Sequence, residues 1–145
     1  MGDEFVILIA DRNRHVREFL RRELMAEGYR VQVAKDGREV MMIIEGSDPP
    51  DLLILDLDAP YVGGSMILER LRIRNPPLPV VVHAFPTDYT GSLSEPRVAA
   101  FVEKSGDTDR LKAVVTDVLR ELYPRRFAAG RTEGGEGAGN KKGPE

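Results

Sequence analysis

Short apolar runs alternate with helical patterns along most of the chain, and this alternation allows few folds. The runs are rich in Val, Ile and Leu, and they occupy residues 5–10, 30–34, 52–55, 80–82 and 99–103. Continuous runs of this length are typical of strands buried on both faces of a parallel sheet. The run at 30–34 alternates polar and apolar residues, so this strand is predicted to be more exposed.

Amphipathic patterns lie between the runs, at residues 15–28, 37–46, 64–75 and 108–123. Gly28 is predicted to end the first helix, whereas Gly91 and Pro96 would interrupt a helix between 88 and 99. A strand followed by a helix, repeated about five times, predicts a parallel sheet with helices on both faces. Right-handed crossovers leave few ways to order its strands.

The composition supports one domain at residues 3–123, followed by a Gly-rich, charged tail or linker at 124–145 that is predicted to be disordered. The net charge of −3 provides no basic field for nucleic acid or an anionic membrane. The chain has no cysteine, which excludes disulfides and thiolate sites and is compatible with the predicted cytoplasmic location. Its first residues lack the basic opening of a signal peptide.

Polar residues follow four of the predicted strands. Asp11 follows the first, Asp56 and Asp58 follow the third, His83 follows the fourth and Lys104 follows the last. Ligands of open parallel sheets bind outside the carboxyl ends of the strands, so we expect these side chains to share one rim.

Clustered carboxylates repel one another unless a cation lies between them, and oxygen ligands suit Mg²⁺. A nearby lysine is suited to a phosphoryl oxygen, and one carboxylate can then attack phosphorus to give an aspartyl phosphate. The alternative is that Asp56 and Asp58 only cap a helix or form a turn.

The chain resembles the receiver domains of two-component response regulators over about residues 5–122. The resemblance rests on Asp11, the segment AKDGREV, the spacing of Asp56, Pro60 and Gly64, and Lys104 within FVEKS. It implies a flavodoxin-like (βα)5 fold, a doubly wound parallel sheet with strand order 2-1-3-4-5. It also implies a role in a phosphorelay.

The resemblance implies Asp56 as the phosphoacceptor and Lys104 as the partner of the phosphoryl group. Asp11, Asp56 and the backbone carbonyl of Asp58 would hold Mg²⁺. The family usually points the side chain of Asp58 away, but an inward turn would restore one negative charge to the site. The implied partners are a histidine kinase or phosphotransfer protein and a downstream protein, and a homodimer through the last helix is compatible with the family. Direct contact with nucleic acid or membrane is not expected, nor is enzymatic turnover.

Arg12 stands where the family usually has a second acid. The usual three carboxylates and one lysine sum to −2, whereas Asp11 and Asp56 here offset Arg12 and Lys104 to give 0. A unit charge at about 4 Å is worth on the order of 4 kcal/mol at an effective dielectric constant of about 20. Arg12 is therefore expected to weaken Mg²⁺ binding or to replace the metal by pairing bidentately with Asp56. A solvated surface arginine is the alternative.

Two further positions depart from the family. His83 replaces a Thr or Ser whose hydroxyl turns toward the phosphoryl group, and an ordinary imidazole titrates near neutral pH. Phe101 stands where a switching Tyr or another aromatic is frequent, so it lacks a hydroxyl for a partner. Together with Arg12, His83 leads to the hypothesis that Asp56 is phosphorylated weakly or not at all.

The sequence leaves two alternatives to a phosphorylated receiver. A degenerate receiver acting as a phosphorylation-independent interaction module uses the same fold. The stretch around Asp56 and Asp58 also resembles the first motif of haloacid dehalogenase phosphatases, but the second acidic pair of those enzymes is missing after Asp58.

Overall fold

Five parallel strands form one sheet in the order β2-β1-β3-β4-β5 in the computed structural model. The structure describes residues 4–60, 69–71, 74, 77–85 and 98–134, with only the backbone described at 130–134. The strands are β1 (Val6–Ala10), β2 (Arg30–Ala34), β3 (Leu52–Leu55), β4 (Val80–Ala84) and β5 (Val98–Glu103). The predicted fold class and strand order are confirmed.

The three central strands are buried along their whole length, whereas β2 and β5 at the two edges are partly exposed. Successive side chains of a strand point to opposite faces. Leu53 and Leu55 therefore join a core cluster on one face, and Leu52 and Ile54 join a second cluster on the other. Two buried faces explain why these runs are continuously apolar.

The helices with given bounds are α1 (Arg14–Ala26), α2 (Gly37–Ile44), α3 (Asp109–Leu122) and α4 (Pro124–Gly134). The Asn13 side chain caps α1 by accepting hydrogen bonds from the backbone N–H groups of His15 and Val16. Gly28 has a φ of 99°, the left-handed conformation that favours glycine after a helix end. The predicted end of the first helix is therefore close to the observed one.

The segment that follows Tyr123 differs from the sequence prediction. Residues 124–134 were assigned to a disordered tail, but they form α4, and Phe127 packs against the second core cluster. Pro124 ends α3, as expected, and also begins α4, because proline suits the first position of a helix. The composition was misleading because the glycines begin only at residue 130, whereas Phe127 lies before them and packs against the second core cluster.

Several predicted features lie outside the described residues. These are most of the helix at 64–75, of which residues 69–71 are helical, Gly64, the interrupted helix around Gly91 and Pro96, and the tail at 135–145. Within the part of the chain that the structure describes, no helix is long and apolar enough to cross a membrane.

Candidate phosphoacceptor site

The first two carboxylates of the site are positioned by the sheet itself. Ala10 and Leu55 are paired at the ends of β1 and β3, so Asp11 and Asp56 leave the sheet side by side. The Asp56 backbone N–H donates to the carbonyl of Ala10 at 2.8 Å, and that of Asp11 donates to Ala34 at 3.1 Å. Because these bonds continue the strand ladders, both carboxylates are fixed at the carboxyl edge of the sheet.

Lys104 reaches the same place from the end of β5. Its backbone N–H donates to the carbonyl of Ala84 at 3.0 Å. Its Nζ lies 3.1 Å from Asp11 Oδ2 and 3.6 Å from Asp56 Oδ1, and the side chain is nearly buried. The structure thus brings together three of the five residues that were predicted to share one rim.

Asp11 is an acid in an unfavourable environment. Burial raises its pKa, the nearby Asp56 adds to the rise, and the Asn13 backbone N–H and Lys104 oppose it. Its Oδ1 accepts the Asn13 N–H at 2.8 Å, and Arg17 donates to its backbone carbonyl at 2.8 Å. These bonds hold Asp11 in place while burial disfavours its charged form.

Asp56 is buried, and both of its oxygens accept hydrogen bonds from the backbone. Its Oδ1 accepts the N–H of Asp58 at 3.1 Å, and its Oδ2 accepts the N–H of Arg12 at 3.2 Å. Together with the ammonium of Lys104, these donors fix the orientation of the carboxylate. A carboxylate held in this way has a defined oxygen available for attack on an electrophile.

Arg12 bridges two carboxylates at the outer side of the site. Its Nε lies 3.7 Å from Asp56 Oδ2, and its NH1 lies 3.4 Å from Asp58 Oδ2. The expected bidentate pair with Asp56 alone is therefore wrong. Of the two directions considered for the Asp58 side chain, the structure shows a turn toward Arg12, not the direction that is usual in the family. The role of the Asp58 backbone carbonyl as a metal ligand stays a prediction.

His83 lies within β4, paired with Val102 of β5. The residue is buried, and its Nδ1 has no hydrogen-bond partner among the described residues. Burial and the neighbouring charge of Lys104 lower the pKa of His83 to about 4, against an opposing effect of Asp56. The imidazole is therefore neutral at physiological pH, and the expectation of titration near neutrality is wrong.

Two aromatic residues lie near the rim. Phe101 is partly buried and packs against the first core cluster, and its predicted switching role is not tested by this single conformation. Phe85 is about half exposed, and the Lys104 ammonium lies 5.5 Å from its ring centroid. Phe85 was not predicted from the sequence, because its contact with Lys104 joins the ends of two different strands and has no sequence motif.

The protein family follows from comparison with known sequences. Residues 7–116 match the family model described as the response regulator receiver domain. The chain therefore belongs to the receiver domains of two-component response regulators.

Curated relatives carry the name response regulator MprA. The relative from Mycolicibacterium vanbaalenii is 43% identical over 76 residues, which cover 52% of this chain and 32% of the relative. That from Mycobacterium tuberculosis strain H37Ra is 43% identical over 76 residues, with 52% and 33% covered. The chain spans about a third of the length of these relatives.

Solved structures agree with this family. The response regulator TrrA of Thermotoga maritima, crystallised in complex with Mg²⁺ and beryllofluoride, is 29% identical with a TM-score of 0.69, covering 79% of this chain and 99% of TrrA. TrrA in complex with the histidine kinase ThkA aligns with 28% identity and a TM-score of 0.67, over 79% of this chain and 98% of TrrA.

Proposed function

We propose that Asp56 accepts a phosphoryl group from a histidine kinase or a phosphotransfer protein, and does so slowly. The observation that carries this proposal is the Lys104 ammonium, 3.6 Å from Asp56 Oδ1 and 3.1 Å from Asp11 Oδ2. A lysine in this position provides a positive charge for a phosphoryl oxygen. The complex of TrrA with the kinase ThkA supports a kinase as the donor for this related chain.

The proposed transfer joins phosphorus to one carboxylate oxygen. An oxygen of Asp56 attacks the phosphorus of a donor phosphohistidine, the bond from phosphorus to the imidazole nitrogen breaks, and that nitrogen keeps the electron pair. The product is an aspartyl phosphate, which carries more negative charge than the carboxylate it replaces. Lys104 and Arg12 lie beside Asp56 and are the cations available to stabilise that charge.

Mg²⁺ was predicted as the cofactor, and TrrA was crystallised with it. The donors of this chain do not fit that ion as they stand. Lys104 already lies at Asp11 Oδ2 and Asp56 Oδ1, and Arg12 lies at Asp56 Oδ2. The Asn13 backbone N–H donates to the remaining oxygen of Asp11. A divalent ion at these oxygens would share them with Lys104 and Arg12, and the positive charges of both side chains would oppose its binding.

The wider part of the proposal concerns partners and location. We expect the domain to act in the cytoplasm through contacts with a downstream protein, without catalysing a reaction other than its own phosphorylation. Because the chain spans about a third of the MprA relatives, the match concerns the receiver domain and not the rest of those longer proteins.

A second candidate is a receiver that signals without phosphorylation. The buried His83, whose Nδ1 has no hydrogen-bond partner among the described residues, favours it, because imidazole is larger than the hydroxyl that usually turns toward the phosphoryl group. In this case the partner would recognise one fixed conformation of the domain.

Intact mass spectrometry after treatment with acetyl phosphate separates the two candidates. The proposed function predicts the gain of one phosphoryl group over a slow time course and no gain in Asp56→Asn. The matched control is Asp48→Asn, a substitution of an exposed aspartate paired with Arg30 outside the site. An unchanged mass in the wild type at long times would reject phosphorylation and favour the second candidate.

A further inference from the structure

Five charged side chains alternate in sign across the site. In order they are Asp11, Lys104, Asp56, Arg12 and Asp58, and neighbours along this series are separated by 3.1, 3.6, 3.7 and 3.4 Å. Three negative and two positive charges leave a net charge of −1. Each buried carboxylate therefore already has a cation from the protein, and little negative charge remains to attract a divalent ion.

The position of Arg12 makes this neutralisation specific. Its guanidinium lies between the carboxylates of Asp56 and Asp58, and its own backbone N–H also donates to Asp56. A cation that approached Asp56 from this side would meet the positive charge of Arg12 at short range. This repulsion would lower the affinity of a divalent cation for Asp56 by orders of magnitude.

We propose that Arg12 is the resident cation of this site, that it takes the place of the divalent metal, and that it moves from Asp58 to the phosphoryl group when Asp56 is phosphorylated. The first part, the replacement of the metal by Arg12, is inferred only from the charges and positions of the side chains in the site. The second part rests on the proposed function, because it requires an aspartyl phosphate.

The exchange of partners is favoured by the present contacts of Arg12. Its separations of 3.7 Å from Asp56 and 3.4 Å from Asp58 are longer than good charge-assisted hydrogen bonds. Phosphate oxygens carry more charge and match the guanidinium fork bidentately. Because 38% of the Asp58 side chain is already exposed, its carboxylate is readily solvated after release.

The released Asp58 would mark the phosphorylated state on the surface. It lies in the loop after β3, next to the buried Ala59 and the exposed Pro60. A partner with a basic residue facing this loop would then distinguish the two states by one carboxylate. In the unphosphorylated state the same carboxylate is neutralised by Arg12.

Titration with Mg²⁺ alone, followed by calorimetry, tests the first part. Arg12→Asp changes the local charge by two units and is expected to tighten Mg²⁺ binding on the order of a hundredfold or more. Arg14→Asp changes the net charge equally, but Arg14 is an exposed residue at the start of α1, and we expect at most a few-fold effect. Equal Mg²⁺ affinities of the wild type and Arg12→Asp would overturn the proposal.

Labelling with acetyl phosphate, in Mg²⁺ or in EDTA, tests the second part. Transfer joins phosphorus to Asp56 and releases acetate. The wild type is expected to react at similar rates in both solutions, whereas Arg12→Ala should be labelled only with Mg²⁺. A wild type that requires Mg²⁺ would overturn the metal replacement.

The two proposals fail in different ways. No labelling under any condition would reject Asp56 as an acceptor and, with it, the exchange from Asp58. The Mg²⁺ titration would still decide whether Arg12 takes the place of the metal, because it requires no phosphoryl transfer.

Discussion

The two ends of the sheet use charged side chains in opposite ways. At the amino end, Asp51 accepts hydrogen bonds from the Val6 N–H at 2.8 Å and from Arg126 at 2.7 Å, and Tyr123 donates to its carbonyl at 2.8 Å. Arg126 also lies 4.6 Å from the ring centroid of Phe5. These short, mutually supporting contacts fix α4 to the domain.

At the carboxyl end the charges are less well satisfied. Burial disfavours ionised Asp11 and protonated His83, and the contacts of Arg12 are long. Groups at the amino end therefore contribute stability, whereas those at the carboxyl end reduce it in return for a reactive site. Asp51→Ala at the amino end and Asp11→Asn at the carboxyl end should therefore change the free energy of unfolding in opposite directions.

The largest expected effect concerns His83 and pH. Its folded pKa is lowered from 6.5 to about 4, so the unfolded chain binds this proton more readily. The free energy of unfolding should therefore fall as the pH drops from about 6.5 to about 4, by about 3 kcal/mol in total from this residue. Denaturant unfolding across this range should show a weaker pH dependence in His83→Thr.

The matched control for that experiment is His15→Gln, since His15 is the only other histidine and is exposed. Its pH dependence should equal that of the wild type. An equally steep dependence in His83→Thr would show that the buried imidazole does not cause it.

At the amino end, Asp51→Ala should destabilise the protein by about 2 kcal/mol. It removes both carboxylate oxygens that accept from Arg126, and one of them is also the acceptor of the Val6 N–H. The expected loss is kept small because Arg126 is partly exposed. Thermal and urea unfolding would measure the loss. Asp48→Ala, which removes an exposed pair with Arg30, should change stability by at most about 0.5 kcal/mol. Equal losses of stability in the two variants would show that the contacts of Asp51 contribute no more than an exposed ion pair.

Asp11→Asn should act in the opposite direction. Because the folded pKa is raised, ionised Asp11 reduces stability at neutral pH, and the penalty disappears as the pH falls below the ordinary value of 3.8. The variant should be more stable than the wild type near pH 7, and the gain should be smaller near pH 4, where the carboxyl of the wild type is already partly protonated. Urea unfolding at the two pH values measures this, with the exposed Asp117→Asn as the control. A loss of stability in Asp11→Asn would contradict the conclusion that burial disfavours the charged form of Asp11.

The smallest effect is expected for Arg12→Ala. Its side chain is 45% exposed and its ion pairs are long, so the free energy of unfolding should change by at most about 0.5 kcal/mol. Arg126→Ala should cost more, about 1–2 kcal/mol, because packing on Phe5 is lost as well. The comparison fails if the two arginines contribute equally in the same urea titration.

The fold was predictable because the central strands are buried on both faces and therefore read as apolar runs. The meeting of Asp11, Asp56 and Lys104 was predictable because parallel strands end at one edge. The anchoring of α4 was not, since it depends on the contact of Arg126 with Asp51, 75 residues apart in sequence.

The electrostatic details of the site were also beyond the sequence. Whether Arg12 pairs with one carboxylate or bridges two depends on the direction in which Asp58 turns. The pKa of His83 depends on its burial beside Lys104, and spacing alone does not measure burial.

The central claim, that Arg12 takes the place of the divalent metal, is tested most directly by a crystal structure of the wild type with beryllofluoride on Asp56, prepared in EDTA. We predict that Arg12 and Lys104 both contact the beryllofluoride and that Asp58 has separated from Arg12. Failure of beryllofluoride to bind without Mg²⁺, together with binding in its presence and an ion between Asp11 and Asp56, would contradict the claim.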